Sequence, residues 1–80
     1  MTKKIIIKNN IRKLRFFANE MTQLELAEKA SASRQTIVAL EAGKYTPTLE
    51  MAFRIADVFG VSISEVFEVD SDTDSESKIV

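Results

Sequence analysis

The sequence predicts an all-α fold of five helices with a short β-strand near each end, and three observations predict it. Four segments carry apolar residues at the 3.6-residue helical period, and a short amphipathic turn follows them. Hydroxyl residues and glycines stand where these segments begin and end, as helix caps require. The flanking stretches Lys4 to Lys8 and Phe67 to Val69 are instead β-branched and aromatic, the composition of strands.

The first helix is expected from Asn9 to Asn19, with Ile11, Leu14 and Ala18 on one stripe and Arg15 at its centre. A charge in that position requires a partner. The second opens at Thr22, where Thr22 and Glu25 form a T-x-x-E capping box and Met21 is placed to staple onto Leu26. Leu24, Leu26, Ala27 and Ala30 carry its apolar period. Ser33 caps a third helix that runs to Ala42 and stops at Gly43, leaving only Ser31 and Ala32 between the second and third. That tight connection is helix-turn-helix spacing.

Thr48 caps a fourth helix whose Leu49, Ala52, Ile55, Ala56 and Phe59 share a face, and Gly60 ends it. Ser62 and Glu65 make a second capping box, with Val61 set to staple Val66, so a short fifth helix covers Ser62 to Val66. The chain thus divides into a basic strand or arm over residues 1–8, a helical domain over 9–69 and an acidic tail over 70–80. Asp70 to Ser77 has no apolar residue, and its composition reads as disordered.

Eighty residues accommodate one domain, whose core contributes only about 3–5 kcal/mol net. With no Cys and no His, disulfides, thiolate zinc sites and imidazole acid–base chemistry are excluded, so oligomerisation is the remaining stabiliser. The carboxylates are scattered over helix surfaces instead of paired in a cleft, which argues against an enzyme. No metal, cofactor or small-molecule ligand is expected. No apolar run is long enough for a membrane span or a signal peptide, and the chain reads as cytoplasmic.

The net charge of −1 conceals an asymmetry. Residues 1–67 hold 10 Lys/Arg against 7 Asp/Glu, whereas residues 68–80 hold five acids against Lys78 alone. Lys3, Lys4, Lys8, Arg12, Lys13 and Arg15 precede the first acid, a distribution suited either to a phosphate-facing surface or to a solvated basic stretch.

Thr22-Gln23, Leu26-Ala27, Ser33-Arg34-Gln35-Thr36-Ile37, Glu41-x-Gly43-Lys44 and Pro47 occur here at the spacings of one family. The central segment, about residues 8–68, resembles the Cro/repressor (Xre-type) helix-turn-helix family. The resemblance implies a lambda-repressor-like five-helix domain that regulates transcription by binding double-stranded DNA. In the third helix Ile37, Leu40 and Glu41 cluster on one side and Gln35, Val38, Ala39 and Ala42 on the other. That outer side is small and neutral, fit for a major groove about 12 Å wide.

Arg34, Gln35, Val38 and Ala39 are therefore the candidate base contacts, with Arg suited to guanine, Gln to adenine and Val38 to a thymine methyl. Gln23 at a helix N-terminus and the Ser33 and Thr36 hydroxyls are candidate phosphate contacts. The resemblance adds Lys44 and Tyr45 to these; an ordinary exposed lysine and a core tyrosine are the alternatives. It also implies that Arg15 and Glu41 face one another as a partly buried ion pair.

Three departures from the family pattern stand out. Ser31 occupies the turn position where Gly is usual, so it is expected at positive φ. One extra residue between Arg15 and Met21 leaves Phe16 and Phe17 off the core stripe, to cover the sheet or a partner or simply to lie exposed. Position 38 is more often polar, which separates operator preference here from that of relatives.

The resulting expectation is a homodimeric bacterial or phage-type transcription factor, a repressor, on a palindromic operator. Lys4, Ile5, Ile6, Ile7, Phe67, Glu68 and Val69 are the expected interface, as a small antiparallel sheet, together with the fifth helix. The alternative reading is a protein-interaction module, such as an antitoxin-like or coactivator subunit, motivated by the acidic tail and the two phenylalanines.

Overall fold

The computed structural model describes residues 5–71, so Lys4 of the expected interface and tail residues 72–80 lie outside the described residues. Its order is β1 (Ile5–Asn9), α1 (Ile11–Phe17), α2 (Gln23–Lys29), α3 (Arg34–Glu41), α4 (Leu49–Phe59), α5 (Ile63–Val66) and β2 (Phe67–Ser71). Capping chemistry sets most of these boundaries. The Thr22 Oγ1 accepts the Glu25 N–H at 3.0 Å while Glu25 Oε1 accepts the Thr22 N–H at 2.9 Å, completing the box. Ser33 and Thr48 cap α3 and α4 through the amides of Thr36 and Met51. Gly43 and Gly60, at φ 75° and 69°, take the left-handed conformation that closes those helices.

Three expectations are corrected. Helix α1 is shorter at both ends than Asn9–Asn19, because Asn9 remains in β1 while Asn19 and Glu20 both turn left-handed, at φ 65° and 58°. These two residues absorb the extra length before Met21. Ser62 makes no side-chain cap: its Oγ lies 3.0 Å from Ser64 Oγ, and the Glu65 N–H donates to the Ser62 carbonyl instead. Leu24 and Leu49 are exposed, not core. Leu24 sits about a third of a turn off the Leu26–Ala27–Ala30 stripe, and Leu49 is the first residue of α4, a turn outside the buried stretch that starts at Ala52.

The core takes one fully buried aliphatic side chain from every helix: Ile11, Leu26, Ile37, Ile55 and Val66 are each 0% exposed. Burying each stabilises by roughly 1.5–3 kcal/mol, so no helix is dispensable. Strands β1 and β2 form an antiparallel ribbon with Ile7 opposite Val69 and Asn9 opposite Phe67, continuing to Ile5 opposite Ser71. The ladder therefore includes Asp70 and Ser71 from the stretch read as tail. Phe67 rests partly buried against the core, whereas Phe16 and Phe17 stay 61% and 71% exposed, edge to face at 5.4 Å.

Ser31 adopts φ 58° in the turn between α2 and α3, as its place demands. Its side chain is exposed and makes no hydrogen bond among the described residues. Ser31→Gly is expected to stabilise the domain by about 0.5–1 kcal/mol by relieving that strain, raising Tm by several degrees. Thermal denaturation checks it; a lower Tm would show that the turn gains more from the side chain than it loses.

Candidate nucleic-acid interface

The α2–α3 turn is held by the Ala32 N–H on the Ala27 carbonyl at 2.8 Å and the Ser31 N–H on Glu28 at 3.3 Å. It delivers α3 with Ile37 and Leu40 buried and the opposite flank outward. On that flank Arg34, Gln35 and Val38 are exposed and Ala39 is half-buried. Gln35 makes no side-chain hydrogen bond among the described residues, so both faces of its amide remain open to a ligand. Arg34 leans toward Gln23, Nη2 to Oε1 at 3.5 Å, a separation too long to hold the guanidinium firmly.

Arg15 and Glu41 do face one another. Arg15 Nε donates to Glu41 Oε2 at 2.6 Å and Nη2 to Oε1 at 3.0 Å, a two-pronged pair with side chains only 15% and 11% exposed. The third guanidinium nitrogen, Nη1, donates to the Met21 carbonyl at 2.7 Å. Glu41 Oε1 also accepts from Gln23 Nε2 at 3.2 Å. One N–H of the Gln23 amide is thus committed inside the protein and the other is not. Ser33 Oγ and Thr36 Oγ1 lie 2.9 Å apart, so one of the two hydroxyl protons is likewise used internally.

A cleft of about 450 Å³ between α1, the N-terminal end of α2 and one side of α3 is lined by Arg12, Arg15, Thr22, Gln23, Leu24, Arg34 and Glu41. Three guanidinium groups against one carboxylate make it cationic. Arg12 and Leu24 join the site with no local sequence signal; Arg12 belongs to the basic run, and only the packing of α1 beside α3 distinguishes it from its neighbours. Lys44 and Tyr45 are exposed in the loop after Gly43, which the Lys44 N–H on the Ala39 carbonyl at 2.9 Å ties to the end of α3. Tyr45 is not in the core: it lines a hollow of about 250 Å³ with residues of β1 and β2.

A small, outward, partly apolar helix flank beside a cationic cleft, on a turn of this spacing, defines a DNA-binding helix-turn-helix domain. The chain belongs to the Cro/C1-type helix-turn-helix family of transcriptional regulators: a family model described as Helix-turn-helix matches residues 11–66. It is similar to an HTH-type transcriptional regulator of Methanocaldococcus jannaschii, 47% identical over 66 residues covering 82% of this chain and 98% of that one. An HTH-type regulator of Archaeoglobus fulgidus is 50% identical over 52 residues, covering 65% and 74%. The immunity repressor protein of Bacillus phage phi105 is 36% identical over 47 residues, covering 59% and 33%. The family is one of DNA-binding regulators and not of enzymes.

Glu41→Ala is expected to cost about 3 kcal/mol, since it leaves the Arg15 guanidinium half-buried without its counter-charge. The double variant Arg15→Met with Glu41→Leu recovers most of that loss. Urea denaturation of the three proteins measures both, and equal destabilisation by the single and double changes would contradict a mutual pair.

Proposed function

We propose that the protein is a repressor that acts in the cytoplasm and binds a palindromic operator as a homodimer, with two copies of α3 in successive major grooves about 34 Å apart. The reading is carried by the outward flank of α3, where Gln35 is uncommitted beside Arg34 and Val38. Arg34, Gln35, Val38 and Ala39 read base edges. Gln23, Ser33, Thr36, Lys44 and Tyr45 hold the phosphates, with Arg12 adding a charge from the cleft. The name of the phage relative supports repression as the outcome.

Dimerisation is assigned to the ribbon. Ile7 and Val69 are opposite one another and both exposed, and Ile6 is exposed on the other face. Among the described residues no third strand covers either edge of the sheet. A two-stranded ribbon gains little by itself in water, and pairing with a second ribbon gives its apolar residues and edge amides partners. The exposed pair Phe16 and Phe17 favours the second reading, an interaction module that holds a protein partner on α1.

Two measurements separate these. Gln35→Ala is expected to weaken binding to the selected operator about 10- to 100-fold with little effect on random duplex, whereas Lys44→Ala weakens both equally and flattens the salt dependence. Affinity that does not fall with salt would favour the interaction module. Sedimentation equilibrium at micromolar concentration is expected to give twice the chain mass; one chain mass removes the homodimer.

A further inference from the structure

Asn9 ties together three parts of the protein. Its backbone forms the innermost rung of the ribbon, opposite Phe67. Its Oδ1 accepts the Ile11 N–H at 3.1 Å, which serves the first amide of α1. Its Nδ2 donates to the Leu40 carbonyl at 2.9 Å, in the last turn of α3, across 31 positions of sequence. Neighbouring Asn10 holds α5 and the start of β2: its backbone N–H donates to the Val66 carbonyl at 2.8 Å, and its side chain to the Glu65 carbonyl at 3.0 Å and to Glu68 Oε2 at 3.1 Å. Side-chain bonds from adjacent residues therefore fasten the ribbon to α3 on one side and to the α5–β2 joint on the other.

We propose that Asn9 is a positioning residue that fixes the angle between the ribbon and α3, and thereby sets the half-site spacing this regulator accepts. The inference rests on the ribbon being the dimer contact. In that dimer each α3 lies about 17 Å from the twofold axis, half the ~34 Å groove repeat. A rotation of about 5° between ribbon and body moves each copy by about 1.5 Å and changes their separation by about 3 Å, close to the ~3.4 Å rise of one base pair. Leu40 is buried and its carbonyl belongs to the helix that carries the base contacts, so a bond to that atom transmits orientation without touching DNA. The hollow beside it, lined by Ile7, Leu40, Tyr45, Pro47 and Phe67, leaves room for the ribbon to tilt when the bond is lost.

The test uses the full chain and an operator selected from a random duplex library with the wild-type protein. Affinities are measured for that operator, for versions with one or two base pairs added or removed at the centre, and for a single half-site. Asn9→Asp keeps an acceptor for the Ile11 N–H and loses the donor to Leu40, so α1 retains its first turn; Asn9→Ala loses both. Wild type is expected to discriminate against a one-base-pair change by about tenfold. Both variants are expected to lower this to threefold or less while holding the single half-site within twofold of wild type. Asn9→Gln keeps both groups on a longer stem and is expected to displace the optimum, not flatten it. Dimeric variants with the wild-type spacing profile, or loss on the half-site equal to loss on the operator, overturn the proposal. An unmoved optimum in Asn9→Gln does so even where Asp and Ala do not fold. A wild-type chain that sediments as a monomer instead overturns the dimer reading, and this inference with it.

Discussion

The carboxylate of Glu41 is where the first three helices meet. It belongs to the last turn of α3, a place where the helix dipole disfavours negative charge and where little water reaches it. Arg15 of α1 offsets both penalties with two hydrogen bonds, and Gln23 of α2 adds a third. An apolar core is non-directional and tolerates small rotations of one helix on another. Three aimed donors do not. The angle of α3 against α1 and α2 is thus set by polar geometry at its C-terminal end and by the hydrogen-bonded turn at its N-terminal end, while the Gln35 side chain carries no such constraint.

This arrangement separates a buried side from an open one within eight residues of helix. Ile37 and Leu40 commit one side of α3 to the core, and Glu41 commits the end, so the remaining flank owes nothing to stability. Its residues are free to be chosen by the ligand. Charge follows the same division: the acid of the site is turned inward and neutralised, and the guanidinium groups that remain line the open cleft. A chain with net charge −1 consequently presents a cationic surface where it is needed.

Helices α2 to α4 were legible in the sequence because their boundaries are made by short-range chemistry. Thr22 with Glu25, Ser33, Thr48, Gly43 and Gly60 act within one turn of the residues they serve. The inward and outward sides of α3 followed from angle alone. The ends of α1 were not legible: its N-terminal amide is served by Asn9, a strand residue, and its C-terminus is decided by two left-handed residues that carry no glycine to announce them. Ser62 has a cap's identity and position, yet a competing hydroxyl two residues on takes its oxygen. Leu24 and Leu49 show the limit of periodicity, which reports direction around a helix but not whether a neighbour stands there. Arg12 and Asn9 acquire their places only from packing, across distances in sequence that no local pattern spans.

The ribbon joins the two ends of the described residues, with Asn9 beside Phe67 as its first rung. Its pairing closes nearly the whole chain into one loop, and the entropy of that closure must be met by helices already docked. During synthesis β2 leaves the ribosome after all five helices, so β1 waits without its partner strand until translation of the domain is essentially finished. A nascent chain therefore completes its helix-turn-helix before it completes its sheet.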